Sequence, residues 1–201
     1  MIRVLVVEDQ ALFLGALASL IDLETDFEIV GKAKNGKAAY QMVETCQPDL
    51  IITDIEMPEM SGIDLALRLK LAGRKYKILI VTTFGRSGYL QRALDAGVNG
   101  YVLKDTPSEQ LAAIVRKVMA GTIYVSPELR GRPETLVEDP LSEREREILR
   151  LVEIGLSNGE IAEKLQKATG TIRNNLHEAT QKIGCRNRIE AARISRSNGW
   201  L

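Results

Sequence analysis

The chain has 201 residues, with 27 Lys+Arg balanced by 27 Asp+Glu and 45% hydrophobic residues. This composition fits one or two globular domains and excludes a disordered chain. The longest apolar run is about half a membrane span, no basic-then-apolar leader opens the sequence, and Cys46 and Cys185 stand apart without a CxxC or Cys/His companion; the expectation is a cytoplasmic protein with no membrane partner, no disulfide framework and no zinc site.

The first part of the chain alternates short apolar runs with segments of helical spacing. The runs are Val4-Leu5-Val6-Val7, Phe27-Glu28-Ile29-Val30, Leu50-Ile51-Ile52-Thr53, Ile78-Leu79-Ile80-Val81 and Gly100-Tyr101-Val102-Leu103. Rich in Val and Ile and mostly without polar alternation, they read as strands buried on both faces. The alternation predicts an α/β unit over residues 1–121, a doubly wound five-stranded parallel sheet. The helix after Asp9 is apolar almost all round. Phe13, Leu17 and Leu20 are assigned to the sheet, which leaves Leu14 and Ala18 to face a partner subunit in a dimer. Thr106 is read as the N-cap of the last helix of the unit, with Pro107 at its first position, Glu109 completing a capping box and Gly121 as its stop.

Residues 122–140, punctuated by Pro127, Pro133, Pro140 and Gly131, read as a linker with a short helical turn near Ser126-Pro127-Glu128-Leu129. Residues 141–201 read as a small all-α domain. Ser142-x-x-Glu145 and Ser157-x-x-Glu160 are capping boxes, and Ile172, Leu176, Ala179 and Ile183 form one apolar stripe that ends at Gly184. Charge is unevenly shared. Residues 1–120 hold 14 Lys+Arg against 15 Asp+Glu, whereas residues 164–201 hold eight cations against two acids, a balance of +6 that points to a polyanionic partner.

Active groups of an open α/β sheet sit at the carboxyl ends of its strands. Those ends deliver Glu8 and Asp9, then Asp54, Thr82 and Lys104. Carboxylates crowded together repel, and a hard divalent cation relieves the repulsion. A carboxylate can then act as nucleophile toward a phosphoryl group, while a lysine and a hydroxyl receive the developing charge. Two rivals are an Asp-nucleophile phosphohydrolase, which would be expected to carry Asp-x-Asp after its first strand rather than Asp54-x-Glu56 after the third, and a DNA binder whose acidic crevice is vestigial.

The stretches Val6-Val7-Glu8-Asp9-Gln10, Asp54-Ile55-Glu56-Met57-Pro58, Ile80-Val81-Thr82-Thr83 and Gly100-Tyr101-Val102-Leu103-Lys104-Asp105 resemble bacterial response-regulator receiver domains, which have a flavodoxin-like fold. The resemblance implies phosphorylation of Asp54 by a partner sensor histidine kinase. It implies Mg²⁺ (or Mn²⁺) bound by Asp9, Asp54 and the backbone carbonyl of Glu56, with Glu8 acting through water. It also implies a switch pair in Thr82 and Tyr101 and a phosphoryl contact from Lys104. The run Thr82-Thr83-Phe84-Gly85-Arg86-Ser87-Gly88-Tyr89 resembles one in regulators of membrane-lipid desaturation and related Gram-positive response regulators.

Leu141-Ser142-x-Arg144-Glu145-x-Glu147-Ile148-Leu149, Gly155-Leu156-Ser157-Asn158, Glu160-Ile161-Ala162, Thr171-Ile172-Arg173 and Arg186-Asn187-Arg188-x-Glu190-Ala191 resemble the helix-turn-helix domain of the LuxR/NarL group. With the apolar stripe turned inward, Gly170, Arg173, Asn174, His177 and Gln181 lie on the opposite face, where Arg173, Asn174 and His177 are candidates for the major groove of double-stranded DNA. Lys167, Thr169, Thr171, Lys182, Arg186 and Arg188 are assigned to phosphates. The expectation is a transcription regulator rather than an enzyme, in which phosphorylation promotes a homodimer that engages two half-sites.

Overall fold

The computed structural model describes residues 1–83, 87–129 and 139–201. Phe84, Gly85 and Arg86 of the run that resembles desaturation regulators, and Gly131 and Pro133 of the expected linker, lie outside the described residues. The chain forms two compact units, one built on residues 1–83 and 90–129 and the other on residues 87–89 and 139–201.

In chain order the first part comprises β1 (Ile2–Val7), α1 (Ala11–Asp22), β2 (Phe27–Ala33), α2 (Gly36–Cys46), β3 (Leu50–Thr53), α3 (Gly62–Leu71), β4 (Lys77–Thr82), α4 (Ser87–Asp95), β5 (Gly100–Leu103), α5 (Ser108–Met119) and β6 (Tyr124–Val125). The strands form one parallel sheet in the order β2-β1-β3-β4-β5-β6. Val4 to Val7, Leu50 to Ile52, Leu79 and Ile80 are completely buried. That explains why these strands carry unbroken apolar runs: both of their faces are covered. One face, with Val4, Val6, Leu50, Ile52, Leu79, Val81 and Val102, packs against α1 and α5.

Three expectations are corrected here. The sheet has six strands, because Tyr124 and Val125 pair with Gly100 and Tyr101. Ser126 N–H donates to the Tyr101 carbonyl, and Leu129, at the end of a single 3₁₀ turn, is buried. Residues 122–129 therefore belong to the first unit and not to a linker; a two-residue strand is too short to show periodicity. Thr106 does not cap α5. The cap position is Pro107, at φ −54° and ψ 135° with no side-chain bond, and the Thr106 N–H instead closes a tight turn on the Leu103 carbonyl. Finally, Leu14 and Ala18 do not face outward. They lie in the core with Leu17 and Ile21, while Leu12 and Leu20 are exposed. In an almost wholly apolar helix several stripes satisfy helical spacing equally well, so periodicity alone cannot choose the buried one.

The second unit comprises α6 (Glu143–Glu153), α7 (Asn158–Lys164), α8 (Thr169–Ile183) and α9 (Arg188–Ser197). Both predicted capping boxes form, at Ser142 with Glu145 and at Ser157 with Glu160. Gly184 adopts the left-handed conformation that ends α8, at φ 73°. Ile148, Leu149, Ile161, Ile172, Leu176, Ala179 and Ala191 fill the interior, closed by Trp200 and Leu201.

Candidate functional site

Strand register brings the candidate residues together. Val7 pairs with Thr53, Thr53 with Ile80 and Thr82 with Leu103, so the carboxyl ends of β1, β3, β4 and β5 lie side by side. Backbone bonds continue past those ends. Asp54 N–H donates to the Val7 carbonyl at 3.0 Å, and Lys104 N–H to the Thr82 carbonyl at 2.8 Å. Glu8, Asp9 and Asp54 converge, with a ligand oxygen of each within 4.8 Å of the others. Glu8 and Asp54 are buried, and Asp9 faces solvent.

The Lys104 ammonium bridges the two buried acids, 2.7 Å from Glu8 Oε2 and 2.8 Å from Asp54 Oδ2. Burial works to lower its pKa, but hydrogen bonds to Asp54 and then to Glu8 outweigh that and leave it raised. For Glu8 burial dominates and raises the pKa, against hydrogen bonds from Lys104 and from the Gln10 N–H. The other Asp54 oxygen, Oδ1, accepts from the Ile55 N–H at 2.6 Å. The N-terminus of α3 closes on this loop so tightly that a Cβ at Gly62 would stand 2.0 Å from the Asp54 carbonyl oxygen.

Three carboxylates with one open to water form a hard oxygen donor set that suits Mg²⁺ or Mn²⁺. The Glu56 side chain is not in that group; its backbone carbonyl lies two residues beyond Asp54. Thr82 and Tyr101 are both fully buried. Tyr101 pairs with Ile80, two residues before Thr82, so the pleat directs Thr82 and Tyr101 to the same face of the sheet. One participant escaped sequence reasoning: the Phe13 ring, whose centroid lies 4.3 Å from Lys104 Nζ. Its only signal was an aromatic residue in a helix otherwise without one.

In the second unit α7 and α8 form the helix-turn-helix. Lys167, Thr169, Thr171, Arg173, Asn174, His177 and Arg186 are all exposed, as are Gly170 and Gln181. Two assigned phosphate contacts are instead engaged within the fold. Lys182 Nζ donates to both carboxylate oxygens of Glu145, each at 2.8 Å, beneath the α6 cap. Arg188 donates to the Leu156 carbonyl at 3.0 Å and to Asn158 Oδ1 at 2.9 Å, tying α9 to the start of α7. A buried carboxylate competes with phosphate for a lysine, and sequence spacing does not reveal the acid.

Residues 4–116 match the response regulator receiver domain family, and residues 139–195 match the bacterial regulatory proteins of the luxR family. The chain is a response regulator. Over its full length it is 47% identical to the transcriptional regulatory protein DesR of Bacillus subtilis, across 203 residues and all of that protein. It is 44% identical to a second B. subtilis transcriptional regulatory protein, YvfU, again with both chains fully covered. The resemblance to Gram-positive regulators noted above agrees with these relatives. Among solved structures it is similar to the response regulator ChrA of a heme-sensing two-component system, at 33% identity and a TM-score of 0.58 over 100% of this chain and 98% of that one. It is also similar to the response regulator RcsB in a complex with DNA, at 25% identity and a TM-score of 0.63 over 98% of each chain. In this response regulator the acidic crevice sits in the receiver unit and the exposed polar face of α8 in the luxR-type unit.

Proposed function

We propose that this response regulator takes a phosphoryl group onto Asp54 from a sensor histidine kinase, and that the modification promotes a homodimer which binds double-stranded DNA and controls transcription. The observation that carries this reading is Asp54 itself: a buried carboxylate 2.8 Å from a buried ammonium, with two further carboxylates within 4.8 Å. An Asp54 oxygen attacks phosphorus, the bond from phosphorus to the kinase histidine breaks, and the imidazole leaves with that electron pair. Lys104 lies where charge gathers on the phosphoryl oxygens. Glu8, Asp9, Asp54 and the Glu56 carbonyl would hold Mg²⁺ or Mn²⁺, which when bound offsets the charge of those oxygens. Thr82 and Tyr101 are the switch pair, joined to the event because Thr82 ends the neighbouring strand. The protein acts in the cytoplasm as a regulator and not as a turnover enzyme.

On DNA, Arg173, Asn174 and His177 read bases, while Lys167, Thr169, Thr171 and Arg186 meet phosphates. The dimer uses the outer face of α1, where Leu12 and Leu20 are exposed, in place of Leu14 and Ala18. The test is incubation of the full chain with Mg²⁺ and either a phosphorylated kinase or acetyl phosphate. Wild type gains one phosphoryl mass and binds operator DNA more tightly. Asp54→Ala stays folded, gains no phosphoryl mass and shows no stimulation. Undiminished uptake by Asp54→Ala removes the site assignment.

A further inference from the structure

Lys104 carries its ammonium on a four-carbon stem with several free torsions. Two carboxylates draw it forward, Glu8 at 2.7 Å and Asp54 at 2.8 Å. Behind it stands the Phe13 ring, 4.3 Å from Nζ to the centroid, inside the ~6 Å reach of a cation–π interaction. The lysine side chain is only 7% exposed, so the ring and the acids together replace most of its water.

Phe13 packs against the core, but packing is not all that the ring does. Phe13 borders a cavity of about 210 Å³ between α1 and α5, shared with Leu17, Leu20, Val102 and Leu111, and Lys104 lines the same cavity. A residue present only to fill space would be expected to close that void. The ring is partly buried against the core and also presents its face to the ammonium.

We infer that Phe13 is a positioning residue for phosphoryl transfer, its ring face holding the Lys104 ammonium at the mouth of the Asp54 pocket. The inference rests on the phosphoacceptor reading of Asp54. Both carboxylate partners of Lys104 belong to the reacting group: Asp54 loses a free oxygen when it forms the acyl phosphate, and Glu8 shares the acidic cluster. Phe13 is chemically unchanged throughout. It therefore supports the ammonium in the step where charge passes from the carboxylate to the phosphoryl oxygens, and its loss falls on the rate of uptake.

The test uses the full chain with saturating Mg²⁺ and acetyl phosphate, following phosphoryl mass on Asp54 with time. Phe13→Leu keeps an apolar side chain without a ring face and is expected to slow uptake about three- to tenfold. Phe13→Tyr keeps the ring and restores the rate to within about twofold. In a Lys104→Met background, Phe13→Leu makes no further difference, which a merely structural role for Phe13 would not produce. Thermal unfolding of each variant checks the fold, and Phe13→Met replaces Phe13→Leu if the latter does not fold. Equal slowing with and without Lys104, or a Phe13→Leu rate equal to wild type, overturns the inference while leaving the phosphoacceptor reading intact. A wild-type chain that takes up no phosphate overturns both.

Discussion

Glu8 is a buried acid whose ionised form is tolerated because Lys104 and the Gln10 N–H donate to it. Its pKa in the folded chain is raised, so the folded state holds that proton more firmly than the unfolded state does. The stability this contributes is complete below the unfolded value of 4.5 and is lost as pH rises through the folded value. At neutral pH, without a divalent cation, ionised Glu8 is therefore a net cost. Glu8→Gln should raise the urea midpoint at pH 7 in the presence of a chelator, and the advantage should vanish near pH 4. A lower midpoint at pH 7 would contradict this account of the pocket. That Glu8, Asp9, Asp54 and Lys104 meet was legible in the sequence, because each follows an apolar strand and parallel strands end together. That Lys104 bridges two of them against an aromatic ring was not, since no local pattern links residue 13 to residue 104.

The elements divide in the same way. The capping boxes at Ser142 and Ser157 form as their spacing predicts because every atom involved lies within one turn. The α6 cap has a second layer that spacing cannot show, the ion pair from Lys182 on α8 to Glu145. Burial of Glu145 works to raise its pKa, but the hydrogen bonds from Lys182 and from Ser142 prevail and lower it. The resulting stability is present above 4.5 and is lost as pH falls through the folded value. The lysine is 41% exposed, so solvent screening reduces the value of the pair. Lys182→Met should lower the stability of the second unit by about 1–2 kcal/mol at pH 7, with a smaller loss near pH 3. Trp200, the single tryptophan of the chain, lies in that core and reports the unfolding by fluorescence. An unchanged midpoint would return Lys182 to the pool of phosphate contacts. Helix α1 is the opposite case: its sequence is apolar on nearly every side, and only packing against the sheet selected Leu14, Leu17, Ala18 and Ile21 for burial.

For the whole molecule, zero net charge conceals a nearly neutral receiver and a cationic end, which suits the proposed kinase and DNA partners. On the proposed function, phosphorylation would couple the two units by linkage, with an expected coupling of ~1–3 kcal/mol between phosphate at Asp54 and occupancy of DNA. On α8 the exposed Arg173 is the residue best suited to guanine. Arg173→Ala should cost about 1–3 kcal/mol of operator affinity and relax selectivity at one base position. Arg186→Ala should weaken all sequences alike and reduce the salt slope by about one. Titrations of operator and scrambled duplex at several salt concentrations separate the two, and a uniform loss from Arg173→Ala would move it to the phosphate class.

The order of elements, the division into a sheet unit and a helical unit, and the meeting of acids with a lysine at the strand ends are written locally in the chain, because strand burial, capping and turn chemistry act over a few residues. Packing alone settles which side of α1 is buried, that β6 joins the sheet, that Lys182 and Arg188 are engaged within the fold, and that Phe13 backs Lys104. Each of those depends on groups far apart in the chain, whose burial and partners are set when the elements pack.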